Sequence, residues 1–177
     1  MRSLLPIAVI LGLSLTGAAR AEVIDSQAGG FEVGHGVNIA APPAKVWAAL
    51  GHVGAWWDPR HSLSGDARNL TLDLKLGGCF CEALANGGGA RHMSVVKVQP
   101  GAVVVLEGAL GPLQDTGAMG HMTWTLRDMG GKTRITVKYD VGGYIGGGVD
   151  KWAAPVDAVL TNQIERLKLY VETGKPG

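Results

Sequence analysis

Apolar and polar side chains alternate with a period of two along several short segments of this 177-residue chain. In residues 31–40 the odd positions are mainly apolar, and the even positions are small or polar. Such alternation is typical of a β-strand that buries one face. The same pattern predicts seven strands in all, over residues 31–40, 70–76, 79–84, 91–98, 102–110, 119–127 and 133–141.

Apolar residues at helical spacing lie between and after these strands. Residues 43–51 begin with Pro43, which suits the first turn of a helix, and residues 52–57 predict a second short helix. From about Asp150 a long helix is predicted by one apolar stripe, which consists of Val156, Val159, Leu160, Gln163, Ile164, Leu167, Tyr170 and Val171. This order predicts an α+β fold, in which a curved antiparallel seven-stranded sheet wraps around the C-terminal helix and leaves an apolar cavity.

Four segments together form a recognisable pattern, namely residues 41–50 (APPAKVWAAL), 56–59 (WWDP), 77–80 (GGCF) and the helix over 156–170. This pattern resembles the START-related superfamily (SRPBCC), which includes polyketide cyclases, pollen-allergen-like proteins and activators of the heat-shock chaperone ATPase. The resemblance covers about residues 31–173 and implies a helix-grip fold with a ligand cavity under the long helix. It does not specify a reaction, because members carry lipids, cyclise polyketides or only contact proteins.

The first 21 residues have the pattern of a secretory signal peptide. Arg2 gives a positive start, residues 4–15 form an apolar run, and Ala19-Arg20-Ala21 is a cleavage site of the A-x-A type. The apolar run is shorter than the roughly 20 residues that a membrane-spanning helix needs. We therefore expect cleavage between Ala21 and Glu22, and a periplasmic or secreted protein without stable membrane insertion. Export argues against the cytoplasmic chaperone-activating role.

The mature chain has the length of one domain. We expect a flexible leader over residues 22–30 and a single domain over residues 31–177. Removal of Arg2 and Arg20 from the 16 basic residues leaves 14, against 15 acidic residues, so the mature net charge is −1. Because neither sign dominates and no basic stripe alternates with aromatic residues, nucleic acid is not expected as a partner.

Cys79 and Cys81 are the two cysteines of the chain. Positions i and i+2 of a strand lie on one face, about 6.6 Å apart. That separation is near the upper limit for the Cα atoms of a disulfide, so two free thiols are predicted. Histidines and methionines on other strands could join them as soft ligands for copper. The spacings typical of metal sites are missing, however, and neither a metal nor a cofactor is predicted.

Aromatic side chains are the first candidates for the wall of a ligand-binding cavity. Trp124 lies on the inward face of a predicted strand, and Trp152 begins the long helix beside the glycine-rich residues 142–148. An indole ring offers a large apolar surface and one N–H donor, which suits a partly polar ligand. The predicted ligand-binding residues are Trp57, Met122, Trp124, Tyr139, Tyr144, Trp152 and Gln163.

Polar residues at inward positions are the candidates for proton transfer. His35, His92 and Tyr139 each interrupt the apolar face of a predicted strand. Because a buried polar group must be paired, each of them either satisfies a neighbouring group or orients a ligand. A single histidine on an apolar face is more often a satisfied core residue. His92 and Ser94 are expected to share a face with Val96 and Val98.

A loop between the predicted helices and strands holds Asp58, His61 and Asp66. A carboxylate beside a histidine could serve acid–base chemistry. Turn formation at Asp58-Pro59 and Gly65-Asp66 explains the two acids more simply. No serine occupies a G-x-S-x-G segment, and no glycine-rich phosphate loop is complete.

Together these observations favour an exported soluble protein that binds a small hydrophobic or lipid-like molecule in an internal cavity. One alternative is an enzyme of the cyclase or dehydratase kind that acts in the same cavity. Another is a protein-interaction module whose cavity holds no ligand. The hypotheses differ in the role of His35, His92 and Tyr139, which would transfer protons only in the enzyme.

Overall fold

The computed structural model describes residues 22–177, so the predicted signal peptide and its cleavage site lie outside the described residues. Within this range the chain forms eight strands and two α-helices. In chain order they are β1 (Glu22–Gln27), β2 (Gly30–Ile39), α1 (Pro43–Gly51), β3 (Leu70–Leu72), β4 (Cys79–Ala83), β5 (Gly89–Gln99), β6 (Val103–Gly108), β7 (Gly117–Asp128), β8 (Thr133–Tyr144) and α2 (Ala153–Thr173).

All strands belong to one antiparallel sheet with the order β1-β2-β8-β7-β6-β5-β4-β3. The sheet is open, and α2 packs on its inner face, mainly against β2. The apolar stripe of α2 faces the sheet, because Leu160, Ile164 and Leu167 are fully buried. The α+β helix-grip fold predicted from the sequence is confirmed, with eight strands in place of seven.

The additional strand is β1, which the sequence analysis assigned to a flexible leader. Its residues pair antiparallel with β2, from Glu22 opposite Gly34 to Gln27 opposite Gly30. A bulge interrupts the pairing between Val23 and Asp25. The prediction of a flexible leader was wrong for these residues. Without β1, β2 would be an edge strand with unpaired backbone groups, and the polar segment before it supplies the pairing strand.

The helices after β2 agree with the prediction, and the second is a 3-10 turn at Val53–Ala55. The strand predicted over residues 70–76 is much shorter, since only Leu70–Leu72 pair with β4. Two tight turns follow, in which Lys75 N donates to Asp73 O and Gly78 N donates to Lys75 O, each at 2.8 Å. Leu76 is consequently 71% exposed, although the alternation had placed it on the inner face.

Two bulges change which side chains of β5 face inward. Phe80 pairs with Met93 and Cys81 pairs with Arg91, so His92 is an extra residue on β5. A second extra residue is Val96, which is 40% exposed, whereas Val95 is buried. The predicted common face of His92 and Val96 is therefore wrong, because each bulge shifts the alternation by one residue.

The prediction of two free thiols is also overturned, since the structure joins Cys79 and Cys81 in a disulfide. Their Cα atoms lie 5.4 Å apart, closer than in a regular extended strand. That distance lies within the usual range for disulfides. Phe80 itself points inward and is buried.

The helix α2 buries one charged residue that the sequence had placed away from its apolar stripe. Asp157 faces β2, where its Oδ1 lies 2.8 Å from His35 Nε2. This is a close contact between the two buried side chains, although Asp157 Oδ1 accepts no hydrogen bond from the described residues. Neither α2 nor α1 is long and apolar enough to cross a membrane, and both belong to the described residues.

Candidate functional site

A cavity of about 390 Å³ lies beside the N-terminal half of α2. Its walls come from α2, from the segment after α1, from the loop between β6 and β7, and from β3, β4 and β5. The lining residues are Trp57, Arg60, His61, Ser62, Leu63, Leu70, Phe80, His92, Leu110, Gly111, Pro112, Leu113, Trp152, Pro155, Val156, Val159 and Leu160. The volume falls within the range of small-molecule sites.

The cavity has a buried floor and an exposed mouth. Leu70, Phe80 and Leu160 at the floor are almost fully buried. Leu63 at the mouth is 51% exposed, and Pro155 on the opposite wall is also exposed. A ligand can therefore enter from solvent and bury an apolar body against the floor.

One side of the mouth is the segment after Trp57, which two hydrogen bonds shape into a 3-10 turn. The Asp58 carboxylate accepts from Arg60 N (3.0 Å), and the Trp57 indole donates to His61 O (2.9 Å). Hydrogen bonds from Arg60, with help from Asn162, outweigh burial and hold the pKa of the Asp58 carboxyl well below its usual range. Asp58 therefore stabilises a turn, as the sequence predicted, and Asp66 caps a second turn in the same way.

Below this loop lies Glu82, a buried carboxylate that the sequence analysis did not select. It accepts hydrogen bonds from Leu63 N (3.0 Å), Ser64 N (2.6 Å) and His92 Nε2 (2.9 Å). Burial alone raises the pKa of the Glu82 carboxyl, but these donors outweigh it and hold the pKa below its ordinary value. Glu82 therefore ties the mouth loop to the floor of the cavity as a carboxylate.

His92 connects this carboxylate with the opposite side of the mouth. Its Nε2 bonds Glu82, and its Nδ1 lies 2.5 Å from Gln114 Nε2 in the loop after β6. Phe80 packs against the ring, with centroids 5.2 Å apart. Because both ring nitrogens are engaged, His92 presents mainly a ring surface to the cavity and holds the two loops at a set distance.

His61 is held differently, through Gln163 on α2. Asp58 N donates to Gln163 Oε1 (2.9 Å), and Gln163 Nε2 lies 3.0 Å from His61 Nδ1. Gln163 is fully buried, whereas the His61 side chain is about one-third exposed at the cavity. Within residues 22–177 no hydrogen-bond partner approaches His61 Nε2.

The structure brings three of the predicted site residues together in the cavity wall, namely Trp57, Trp152 and His92. Gln163 stands directly behind the wall and contacts it through His61. These positions agree with a role in ligand binding, which stays a prediction until a ligand is tested.

The other predicted site residues lie outside the lining. Trp124 packs edge-on against Trp56 at 6.2 Å between ring centroids, and Met122 is 2% exposed in the same core. Tyr144 is 80% exposed at the end of β8. Trp124 and Met122 have the inward direction expected from their strand, but the cavity does not extend to them, and the exposed Tyr144 lies outside it as well.

The remaining two candidates for proton transfer are also in the core. Tyr139 is fully buried and its hydroxyl donates to Gly108 O (3.2 Å). Burial raises the pKa of the Tyr139 hydroxyl well above its ordinary value, so it stays protonated at neutral pH. His35 is enclosed between β2 and α2 by Asp157 and Thr161. Each is a satisfied core group, which is the commoner situation for such residues.

Within the described chain, no three side chains of His, Cys, Asp or Glu are grouped so as to hold a metal ion. The two histidines of the wall are instead bonded to polar groups behind it, in the series Glu82–His92–Gln114 and Gln163–His61. The cavity is consequently an apolar chamber with a few fixed polar groups, which is the usual arrangement for binding a small organic molecule.

A family model described as polyketide cyclase / dehydrase and lipid transport matches residues 31–172. This match confirms the resemblance carried by the four sequence segments. No characterised protein with a curated description matches the sequence.

Solved structures share the fold at low sequence identity. EF2215, a conserved protein of unknown function from Enterococcus faecalis, is 16% identical with a TM-score of 0.58, over 84% of this chain and 75% of that one. DynU16, a protein in the dynemicin biosynthetic locus, is 22% identical with a TM-score of 0.56, over 82% and 48%. The Aha1 dimer from Colwellia psychrerythraea is 21% identical with a TM-score of 0.53, over 81% and 98%. At such identities the likeness shows the fold alone.

Proposed function

The chain belongs to the polyketide cyclase / dehydrase and lipid transport family, and we propose that it binds a small apolar molecule in the cavity beside α2. The observation that carries this proposal is the lining, in which leucine, valine, proline and aromatic side chains form most of the wall of a 390 Å³ space. A molecule that moves from water into this space buries apolar surface, which contributes about 25 cal/mol per Å².

The proposal includes export of the mature chain to the periplasm or the medium. The sequence of residues 1–21 supports it, because a positive start, a short apolar run and an A-x-A site occur in the order of a secretory signal. In an aqueous compartment, a protein that carries or scavenges a poorly soluble molecule would keep that molecule in solution. Export also fits a disulfide between Cys79 and Cys81, since such bonds persist in oxidising compartments.

Binding can be tested with N-phenyl-1-naphthylamine, an uncharged probe whose fluorescence rises in apolar surroundings. Val159 lines the cavity from α2, so Val159→Trp places an indole in the space that the probe would occupy. Leu169→Trp is the matched control, because Leu169 is 41% exposed on the same helix and outside the lining. We expect the parent and Leu169→Trp to bind equally and Val159→Trp to bind at least tenfold more weakly.

Two results would contradict the proposal. The first is a parent protein that does not raise the fluorescence of the probe. The second is a Val159→Trp variant that folds and binds the probe as tightly as the parent, which would locate binding elsewhere on the surface.

An enzyme of the cyclase or dehydratase kind is a second candidate, and the Glu82–His92 pair favours it. A carboxylate that orients an imidazole in a cavity wall is an arrangement used in acid–base catalysis. Proton transfer by His92 would require Gln114 to release Nδ1, since both ring nitrogens are engaged. Conversion of a bound ketide by the parent, lost in His92→Gln with probe binding retained, would establish the enzyme.

A further inference from the structure

We propose that His61 is a specificity-determining residue, and that the ligand carries an uncharged hydrogen-bond acceptor, such as a ketone or ester carbonyl, at its end in the mouth of the cavity. This inference rests on the proposed binding function and names the class of molecule that the same cavity takes.

The first step is the direction of the hydrogen bonds behind His61. The backbone N–H of Asp58 can only donate, so the atom of Gln163 that it contacts at 2.9 Å must be the carbonyl oxygen Oε1. The amide group of Gln163 therefore turns its NH₂ toward His61 Nδ1, at 3.0 Å. A reversed amide would set two donors against each other in a fully buried position.

The second step follows from the ring itself. Because Gln163 donates to Nδ1, this nitrogen is the acceptor of the His61 ring, and Nε2 carries the hydrogen. His61 lines the cavity, and the described residues offer no partner to Nε2. The chain of bonds from Asp58 through Gln163 thus ends in one N–H donor that a bound molecule can reach.

Most of the other polar groups of the wall are already occupied. Ser62 Oγ donates to Pro59 O (2.8 Å), and both nitrogens of His92 are bonded to Glu82 and Gln114. Arg60 forms a two-point contact with Asp58 and is otherwise turned to solvent, with 80% of its side chain exposed. The indole N–H of Trp152 also lacks a partner within the described residues, and His61 differs from it because Gln163 fixes the orientation of its ring from behind.

Charge decides between a neutral acceptor and an anion. Two carboxylates, Asp58 and Glu82, stand behind the lining, and hydrogen bonds hold the pKa of each below its ordinary value. One guanidinium, that of Arg60, offsets one of them. The remaining negative charge opposes a carboxylate in the cavity, and a carbonyl oxygen makes the same hydrogen bond without that repulsion.

Three ligands of nearly equal shape test this inference. 2-Acetylnaphthalene has the carbonyl acceptor, 2-isopropylnaphthalene lacks it, and 2-naphthoate replaces it with an anion. Their dissociation constants would be measured by displacement of N-phenyl-1-naphthylamine from the parent, from His61→Phe and from His121→Phe. Phe keeps a flat ring but has no donor, and His121 is an exposed histidine on β7 that serves as the matched control.

The quantity to compare is the ratio of the dissociation constants of the acetyl and isopropyl compounds, because this ratio cancels differences in folding and cavity shape. In His61→Phe we expect the acetyl compound to weaken by about three- to tenfold relative to the isopropyl compound, the value of one hydrogen bond. His121→Phe should leave the ratio as in the parent. 2-Naphthoate should bind the parent more weakly than 2-acetylnaphthalene.

An unchanged ratio in His61→Phe, with the isopropyl compound still bound, would overturn the role of His61 and leave the proposed binding function standing. Tighter binding of 2-naphthoate than of the acetyl compound would overturn the preference for an uncharged group. If the parent bound none of the three compounds and no probe, the binding function itself would fail, and this inference with it.

Discussion

Replacement of Glu82 by Gln is the sharpest test of how the cavity is held together. The substitution keeps the size of a side chain that is fully buried between β4 and the mouth loop. It exchanges one oxygen acceptor for an NH₂ donor, while the surrounding donors stay in place. Oε1 accepts from Ser64 N, and Oε2 accepts from both Leu63 N and His92 Nε2.

The expected loss can be worked from these contacts. Whichever way the new amide turns, its NH₂ faces at least one backbone N–H, and a buried donor without an acceptor costs about 1–3 kcal/mol. The bonds that survive also lose the negative charge that strengthened them. We therefore expect Glu82→Gln to reduce the free energy of unfolding by about 2–4 kcal/mol, which corresponds to a Tm lower by about 5–15 °C in a domain of this size.

The assay is thermal unfolding followed by circular dichroism, with Glu32→Gln as the control. Glu32 undergoes the same chemical change, but its carboxylate is only partly buried and contacts the Lys138 ammonium at 3.1 Å on the other face of the sheet. A pair of this kind is worth about 0–1 kcal/mol. If the two substitutions lowered the Tm equally, Glu82 would not be the anchor of the mouth loop, and the reasoning from its three donors would be refuted.

Three further predictions concern the whole chain. Folding lowers the pKa of the Glu82 carboxyl, so its contribution to the free energy of unfolding is present above the ordinary pKa of 4.5 and is lost as pH falls toward the lower folded pKa. Urea unfolding across this pH window should show a smaller loss of stability in Glu82→Gln than in the parent. Thiol counting in denaturant should find no free thiol before reduction and two after it, since Cys79 and Cys81 are joined, and two thiols before reduction would contradict the pairing. Intact mass of protein from the cell envelope should match a chain that begins at Glu22, and retention of residues 1–21 in a cytoplasmic pool would contradict export.

The parts of the fold that follow from periodicity were predictable from the sequence. The alternation in residues 133–141 and the stripe of α2 each carry enough apolar positions to determine one buried face, and both faces are buried as expected. Bulges were not predictable in this way, because an extra residue such as His92 or Val96 shifts the alternation without leaving a signal of its own.

The position of the cavity was harder to predict than the fold. Periodicity shows that Trp124 points inward, but it does not distinguish a packed core from an open space. That difference depends on where loops stand away from the sheet, and the cavity mouth is formed by residues 60–63 and 110–113. The useful signal in the sequence was the cluster around Asp58 and His61, whose turn chemistry was correctly predicted.

The same turn explains how a loop residue can become a precise recognition group. A histidine on a solvent-exposed loop usually samples several rotamers and both neutral tautomers. Here the Asp58 amide lies within the turn that precedes His61, and Gln163 extends toward both from a fully buried position on α2. The orientation of the imidazole is therefore determined by the helix, while its N–H remains at the cavity. These hydrogen bonds account for a polar residue, Gln163, within the apolar stripe of α2. They also favour a ligand that is polar at the end that meets His61.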